Sequence, residues 1–183
     1  MKESRNSPIP VDQLMGKIRQ ELESNYSDIN KSAHHTYSWG ETLQFGDAGD
    51  SQSYLVDGWG AAQDDFRWTV GKSSTLALAL PKSESNLLLT AIVHPMVGNQ
   101  IESQKVSLKW NRKLIGEWTV KNPGHYHAYV LNRNCEDSPS ILELQVGTAT
   151  SPHICGINED QRILGIGVHT LKIVPLTTTS AFE

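Results

Sequence analysis

Short apolar runs recur along the chain from Thr42 onward, and most of them alternate with polar residues in a period of two. That period places the apolar side chains on one face of a strand. Turn residues separate the runs, and no helical period lies between them. The pattern predicts strands at residues 42–45, 54–56, 66–70, 74–80, 86–93, 105–110, 114–120, 125–131, 141–146 and 162–174.

Strands at such short intervals are typical of all-β proteins in which two sheets pack face to face. We therefore expect an antiparallel β-sandwich of jelly-roll type over residues 36–176. The 183 residues suffice for one domain with a real hydrophobic core. Residues 177–183 are predicted to form a tail.

The segment before the strands has a different period. Apolar residues recur every three or four positions from Val11 to Leu22, which predicts a short amphipathic helix at residues 11–24. It belongs to an N-terminal segment, residues 1–35, that is expected to be flexible. An isolated helix of this length is marginal in water, so its apolar stripe needs a partner. That partner is its own sandwich, a second copy of the chain or another protein.

Composition narrows the function classes. The net charge is −4 and no Lys/Arg-rich run occurs, so nothing favours binding to nucleic acid. The N-terminus lacks the apolar core of a secretory signal, and no apolar stretch is long enough to span a membrane. The expectation is a cytoplasmic protein, in which Cys135 and Cys155 are free thiols.

Several short motifs follow one another in a fixed order between residues 43 and 174. They are Tyr54-Leu55, Gly58-Trp59, Phe66-Arg67-Trp68, Gly71, Val106 to Trp110, Gly116, Ser151-Pro152, Gly156-Ile157, Glu159-Asp160, Arg162 and Leu164-Gly165-Ile166. Their order resembles β-sandwich domains that accompany bacterial glycosyltransferases of surface-polysaccharide synthesis. The chain departs from that pattern at Glu159 and Gln161. The resemblance implies a sandwich like that of carbohydrate-binding modules, and a transferase encoded elsewhere as partner.

Trp59 is the leading candidate for contact with a ligand. It stands between Gly58 and Gly60 in a predicted turn, where an indole can offer its flat face to a sugar ring. The alternative is that Trp59 covers one end of the core. Neighbouring polar side chains would hydrogen-bond sugar hydroxyls or, in the case of the guanidinium, an acidic sugar. They are Asp57, Asp64, Asp65 and Arg67.

One further loop and one further strand carry residue types that bind metals. Asp47 and Asp50 could contribute oxygen ligands to a calcium ion, although their spacing fits no defined loop motif. His125 and His127 lie two residues apart in a predicted strand, so their imidazoles share one face. This H-x-H pattern is the basis of an alternative, a cupin-like metal-dependent enzyme. No Glu follows at a cupin-like distance, and no cofactor is otherwise predicted.

Asp160 and Arg162 are predicted to form an ion pair that holds the start of the last strand. No G-x-S-x-G motif or phosphate-binding Gly-rich loop is present. The leading hypothesis is therefore a non-catalytic module that binds carbohydrate or docks an enzyme. The alternatives are the cupin-like enzyme and an assembly protein that oligomerises through the Val11–Leu22 helix.

Overall fold

The computed structural model describes residue 13 and residues 35–99, 101–135 and 138–176. The chain divides into two units, Met1–Ala33 and His34–Glu183. Of the helix predicted at residues 11–24, only Gln13 lies among the described residues, so that helix stays a prediction.

The described part of the chain forms eleven strands and two short turns of 3₁₀ helix, Ser51–Tyr54 and Asn132–Asn134. The strands are β1 (Thr42–Gln44), β2 (Leu55–Asp57), β3 (Trp59–Ala62), β4 (Arg67–Val70), β5 (Ser73–Leu78), β6 (Leu87–His94), β7 (Gln104–Trp110), β8 (Lys113–Val120), β9 (Gly124–Val130), β10 (Ser140–Val146) and β11 (Leu164–Pro175).

All strand pairs within the sheets are antiparallel, and they form two sheets. The first sheet has the order β3-β4-β11-β6-β9, and β1 pairs with β11 beyond the end of β4. The second sheet has the order β2-β5-β10-β7-β8. The protein is thus an all-β, antiparallel sandwich of two sheets, which confirms the fold class predicted from the alternation.

One strand was not predicted. The two glycines predict a single turn at residues 57–60, whereas the turn in the structure is confined to Gly58 and β3 begins at Trp59. Gly58 adopts a positive φ of 77°, and the chain then pairs Trp59 with Thr69 of β4. Gly60 belongs to β3 and has no positive φ, although the register with β4 shifts between Trp59 and Ala62.

The core lies between the two sheets. On β7 the alternate residues Val106, Leu108 and Trp110 are fully or almost fully buried, as the period of two predicted. Every second residue of β6 behaves likewise, since Leu87, Leu89, Ala91 and Val93 are buried. Each fully buried Leu of this kind contributes roughly 1.5–3 kcal/mol to stability.

Strand β11 connects most of the first sheet. It pairs with β4 over its first part, with β1 in its middle and with β6 along its length. Its register with β6 shifts between Val168 and Thr170, which leaves His169 as an extra residue without a partner. Such a bulge redirects the side chain of the inserted residue. Gly167, His169 and Thr170 therefore all face away from the core.

Gly58 and Gly71 provide a matched test of the backbone turns. Both have φ near +70°, but a Cβ at Gly58 would overlap the carbonyl oxygen of Ser73, whereas a Cβ at Gly71 would meet nothing. Chemical denaturation should show that Gly71→Ala costs about 1 kcal/mol, the strain of a left-handed conformation, and that Gly58→Ala costs roughly twice that or more. Equal losses for the two variants would contradict this account.

Candidate functional site at the outer face of the first sheet

Side chains of β6 alternate between the core and the opposite face, which we call the outer face of the first sheet. Thr90, Ile92 and His94 point to this face and are half-buried. Cross-strand pairing places them beside residues of β11 and β9. The outer face also carries Gln44, Trp68, His125, His127, Tyr129, His169, Thr170 and Lys172.

The outer face of the second sheet has a different character. Its side chains hydrogen-bond one another, as in Ser73 to Glu143 at 2.7 Å and Ser107 to Glu117 at 3.2 Å. Lys105 and Lys109 supply positive charge beside these carboxylates. This face is an ordinary solvated surface, so the outer face of the first sheet is the better candidate for a ligand.

Four rings gather at one end of the outer face of the first sheet. The centroid of the His94 ring lies 4.6 Å from Phe66, 4.7 Å from Trp68 and 4.9 Å from His169. Phe66 and Trp68 meet His94 nearly edge to face, an arrangement that aromatic rings favour. We call these four residues together with Asp65 the His94 cluster.

The backbone makes room for this cluster. Gly167 lies between Trp68 of β4 and His94 of β6 in one row of the sheet. A Cβ at Gly167 would overlap the His94 ring, so the absence of a side chain there lets the imidazole lie against the sheet. The bulge at His169 brings the second imidazole alongside.

Hydrogen bonds join three members of the cluster. Nδ1 of His94 lies 2.8 Å from Nε2 of His169. Nδ1 of His169 lies 3.2 Å from the carbonyl oxygen of Asp65 and 3.3 Å from its carboxylate. The carboxylate itself is largely exposed, so the chain of groups runs from solvent to the half-buried His94.

Burial favours the neutral form of His94. Desolvation lowers its pKa from 6.5 to about 4, the nearby His169 adds to that effect, and Asp65 opposes it. His94 is therefore uncharged at neutral and mildly acidic pH.

Trp59 lies at the edge of the main core. Its ring packs on Phe45 at a centroid distance of 5.2 Å, and its Nε1 donates a hydrogen bond of 2.9 Å to the carbonyl of Thr75. Only part of the indole is left for contact with a ligand.

The polar residues predicted to accompany Trp59 do not form one group. Asp57 and Asp64 are exposed, and Arg67 is half-buried with NH1 donating to the carbonyl of Gly60 at 3.1 Å. Burial lowers the pKa of Arg67. Only Asp65 reaches the His94 cluster. A ligand role for Trp59 and these four residues stays a prediction.

The aspartates predicted for calcium serve the loop itself. Oδ1 of Asp47 accepts a hydrogen bond from the amide of Ala48, and Oδ1 of Asp50 accepts one from the amide of Gln44. Within the described ranges, no three His, Cys, Asp or Glu side chains are grouped to hold a metal ion.

His125 and His127 are exposed on the outer face of the first sheet, and Nδ1 of His127 lies 3.0 Å from Oγ1 of Thr90. They share a face, as their spacing requires, and their role in a metal site stays a prediction.

The structure joins Asp160 and Arg162 in an ion pair ahead of β11. Nε of Arg162 donates to the carboxylate at 3.0 Å and NH2 does so at 2.6 Å. The guanidinium holds the pKa of Asp160 below its usual value. Cys135 and Cys155 are free thiols whose pKa burial raises.

The sequence pattern does not predict that the members of the His94 cluster lie together. The alternation predicts a strand at residues 66–70, whereas Phe66 lies just before β4, and His94 and His169 are 75 residues apart. One signal was available, a Gly-x-Gly at residues 165–167 inside a predicted strand, since Gly in a strand marks a bulge or a close approach.

Comparison with known proteins gives a likeness of fold. No family model and no curated protein matches the sequence. The CBM36-1 domain of a multidomain xylanase from the hindgut metagenome of Trinervitermes trinervoides aligns over 75% of this chain and 98% of its own, with 12% identity and a TM-score of 0.42. The C-terminal CBM6 of the laminarinase LamC from Zobellia galactanivorans aligns over 73% and 99%, with 15% identity and a TM-score of 0.42.

An acetyl xylan esterase from Butyrivibrio proteoclasticus aligns over 78% of this chain and 35% of its own, with 11% identity and a TM-score of 0.44. TM-scores below 0.5 at such identities carry no argument about function. The matches do not link the chain to glycosyltransferase-associated domains. None of the helices in the described part is long and apolar enough to cross a membrane.

The pKa of His94 predicts how stability depends on pH. In the unfolded chain this histidine takes up a proton near pH 6.5, whereas in the folded protein it does so only near pH 4. The unfolded state therefore binds more protons between these values, and stability falls as the pH drops from 6.5 toward 4. Between pH 6.5 and 4, the denaturation midpoint of His94→Gln should fall less steeply than that of the wild type. Parallel curves for the two proteins would contradict the assignment.

Proposed function

We propose that the sandwich is a non-catalytic carbohydrate-binding domain whose ligand lies on the outer face of the first sheet, beside the His94 cluster. The observation that carries the proposal is the gathering of Phe66, Trp68, His94 and His169 on one face of the sheet. All four rings are half-buried, so they are held firmly and still reach the surface.

A sugar ring has the two properties that such a surface matches. Its C–H groups pack against aromatic rings, and its hydroxyls need hydrogen-bonding partners close to them. Gln44, Thr170 and His125 lie along one row of the same face and provide those partners. A flat sheet face also suits a chain of several sugar units better than a deep pocket does.

Phe66 is the sharpest point at which to test the proposal, because it belongs to the His94 cluster but to neither hydrophobic core cluster. In a glycan array followed by titration, Phe66→Ala should weaken binding about tenfold, corresponding to roughly 1.4 kcal/mol of lost ring contact. Leu114→Ala is the matched control, since it removes an exposed apolar side chain from the second sheet.

Three outcomes would count against the proposal. They are no glycan binding by the wild type, binding by Phe66→Ala as tight as that of the wild type, and a loss of affinity in Leu114→Ala as large as that in Phe66→Ala. To test the ligand site predicted at Trp59, Trp59→Phe is a better variant than Trp59→Ala, because a phenyl ring can still pack on Phe45 while the hydrogen bond to Thr75 and part of the aromatic face are lost. If Trp59→Phe loses binding while Phe66→Ala keeps it, the ligand lies at Trp59.

The proposal also includes a biological role and an oligomeric state. The motif resemblance supports a role in bacterial surface-polysaccharide synthesis, with a glycosyltransferase as docking partner in the cytoplasm.

The apolar stripe at Val11–Leu22 supports oligomerisation through the N-terminal segment. Removal of residues 1–30 should then lower the oligomeric state in light scattering and leave glycan binding intact. An unchanged oligomeric state would contradict the second of these roles.

The cupin-like enzyme remains the rival with a direct test. Elemental analysis of protein purified without added metal should find a stoichiometric transition metal if His125 and His127 are ligands. Protein without metal leaves the carbohydrate-binding proposal as the stronger one.

A further inference from the structure

The hydrogen bonds of the His94 cluster determine which ring nitrogens carry protons. Nδ1 of His169 faces two oxygens of Asp65, its carbonyl and its carboxylate, and both are acceptors. Nδ1 of His169 must therefore be the donor. In a neutral His169 the other ring nitrogen is the acceptor, so Nε2 then carries the lone pair.

The same reasoning passes to His94. Its Nδ1 lies 2.8 Å from Nε2 of His169, and because that nitrogen is an acceptor, Nδ1 of His94 must be the donor. The lone pair of His94 then sits on Nε2. No described residue hydrogen-bonds that nitrogen.

The orientation of the His94 ring is fixed as well. The ring lies over Gly167, with Phe66 and Trp68 against it. A half-turn about the Cβ–Cγ bond would put a carbon where Nδ1 is and would break the hydrogen bond to His169. The position of Nε2 is therefore set by three neighbours and one hydrogen bond.

We propose that Asp65 and His169 hold His94 in the tautomer protonated at Nδ1, so that Nε2 of His94 accepts a hydrogen bond from one hydroxyl of a neutral sugar. This inference rests on the proposed carbohydrate-binding function and names the group that determines specificity within it. Asp65 and His169 are positioning residues, and within this hydrogen-bonded chain His94 is the member that meets the sugar hydroxyl.

The charges around His94 define the ligand class. Burial is the largest influence on the charge state of His94, and among the described residues the charges that add to it are those of His169 on β11 and Asp65 in the loop before β4. An uncharged imidazole next to a carboxylate attracts no anion, so at Nε2 of His94 a neutral hydroxyl fits better than the acidic group of a uronic acid or a phosphorylated sugar. Arg67 is the nearest cation in sequence to Asp65, and its NH1 is bound to the carbonyl of Gly60.

The tautomers are testable without a ligand. Nitrogen-15 NMR of the imidazoles at neutral pH should show both His94 and His169 protonated at Nδ1 and unprotonated at Nε2. His169→Phe removes the acceptor and should release His94 from the single tautomer, while His127→Phe on the same face should leave it unchanged. A His94 protonated at Nε2 in the wild type would overturn the inference.

Binding measurements test the contact itself. For the neutral glycan that binds best, the analogue lacking the contacted hydroxyl should bind tenfold or more weakly to the wild type, because Nε2 is left unpaired. This loss of affinity should disappear in His94→Ala, because the interaction between two groups no longer contributes once either group has been removed. If every deoxy analogue loses as much affinity for His94→Ala as it does for the wild type, the inference is overturned.

Displacement of the ring gives a second route that leaves His94 in place. Gly167→Ala forces the imidazole to move and should weaken binding tenfold or more. Gly116→Ala, whose Cβ would lie 3.6 Å from Ala128 on its nearest approach, is the control that should bind normally.

The two proposals fail in different ways. If Phe66→Ala abolishes binding but His94→Ala and Gly167→Ala do not, the carbohydrate site stands and the role of His94 falls. If no glycan binds, the carbohydrate proposal falls and takes the hydroxyl contact with it, while the NMR result still decides the tautomers.

Discussion

The pairing of β11 with three other strands is the constraint on which the rest of the structure depends. A strand bonded on both edges cannot shift its register without breaking ladders on both sides. The register of β11 shifts against β4 between Leu164 and Gly167, and against β6 between Val168 and Thr170. The second shift turns His169 to the outer face, where it joins the candidate site.

The His94 cluster shows a conflict between folding and function that is common at binding sites. Half-burial of an imidazole penalises its charged form, and the low pKa of His94 records that penalty. A side chain at Gly167 would fill the space that the ring needs. Sites at which local rules are broken in this way, with compensation nearby, are where function is expected.

The tryptophans differ in burial, some lying in the core and others reaching the surface. Trp110 and Trp118 are buried in the main core, and Trp118 donates a 2.7 Å hydrogen bond to the carbonyl of His127. Trp59 covers the edge of that core. Trp68 is the one that meets the His94 cluster while also packing on a small second core formed by Met96, Cys155 and Leu164. A ligand at this face would therefore sit on a rigid support.

The sequence by itself determined the strands and the sandwich, because the alternation of apolar and polar residues is a local property of each strand. It also determined that Val106, Leu108 and Trp110 share one face of a strand, and that Asp160 and Arg162 lie within reach of each other. It could not separate a turn from a strand start at Gly58-Trp59-Gly60, since glycine permits both. Only the tertiary structure decided that Trp59 packs on the core and that His94 meets His169. That meeting depends on cross-strand register and on a bulge, which are set by the pairing of distant segments and leave almost no trace in local sequence.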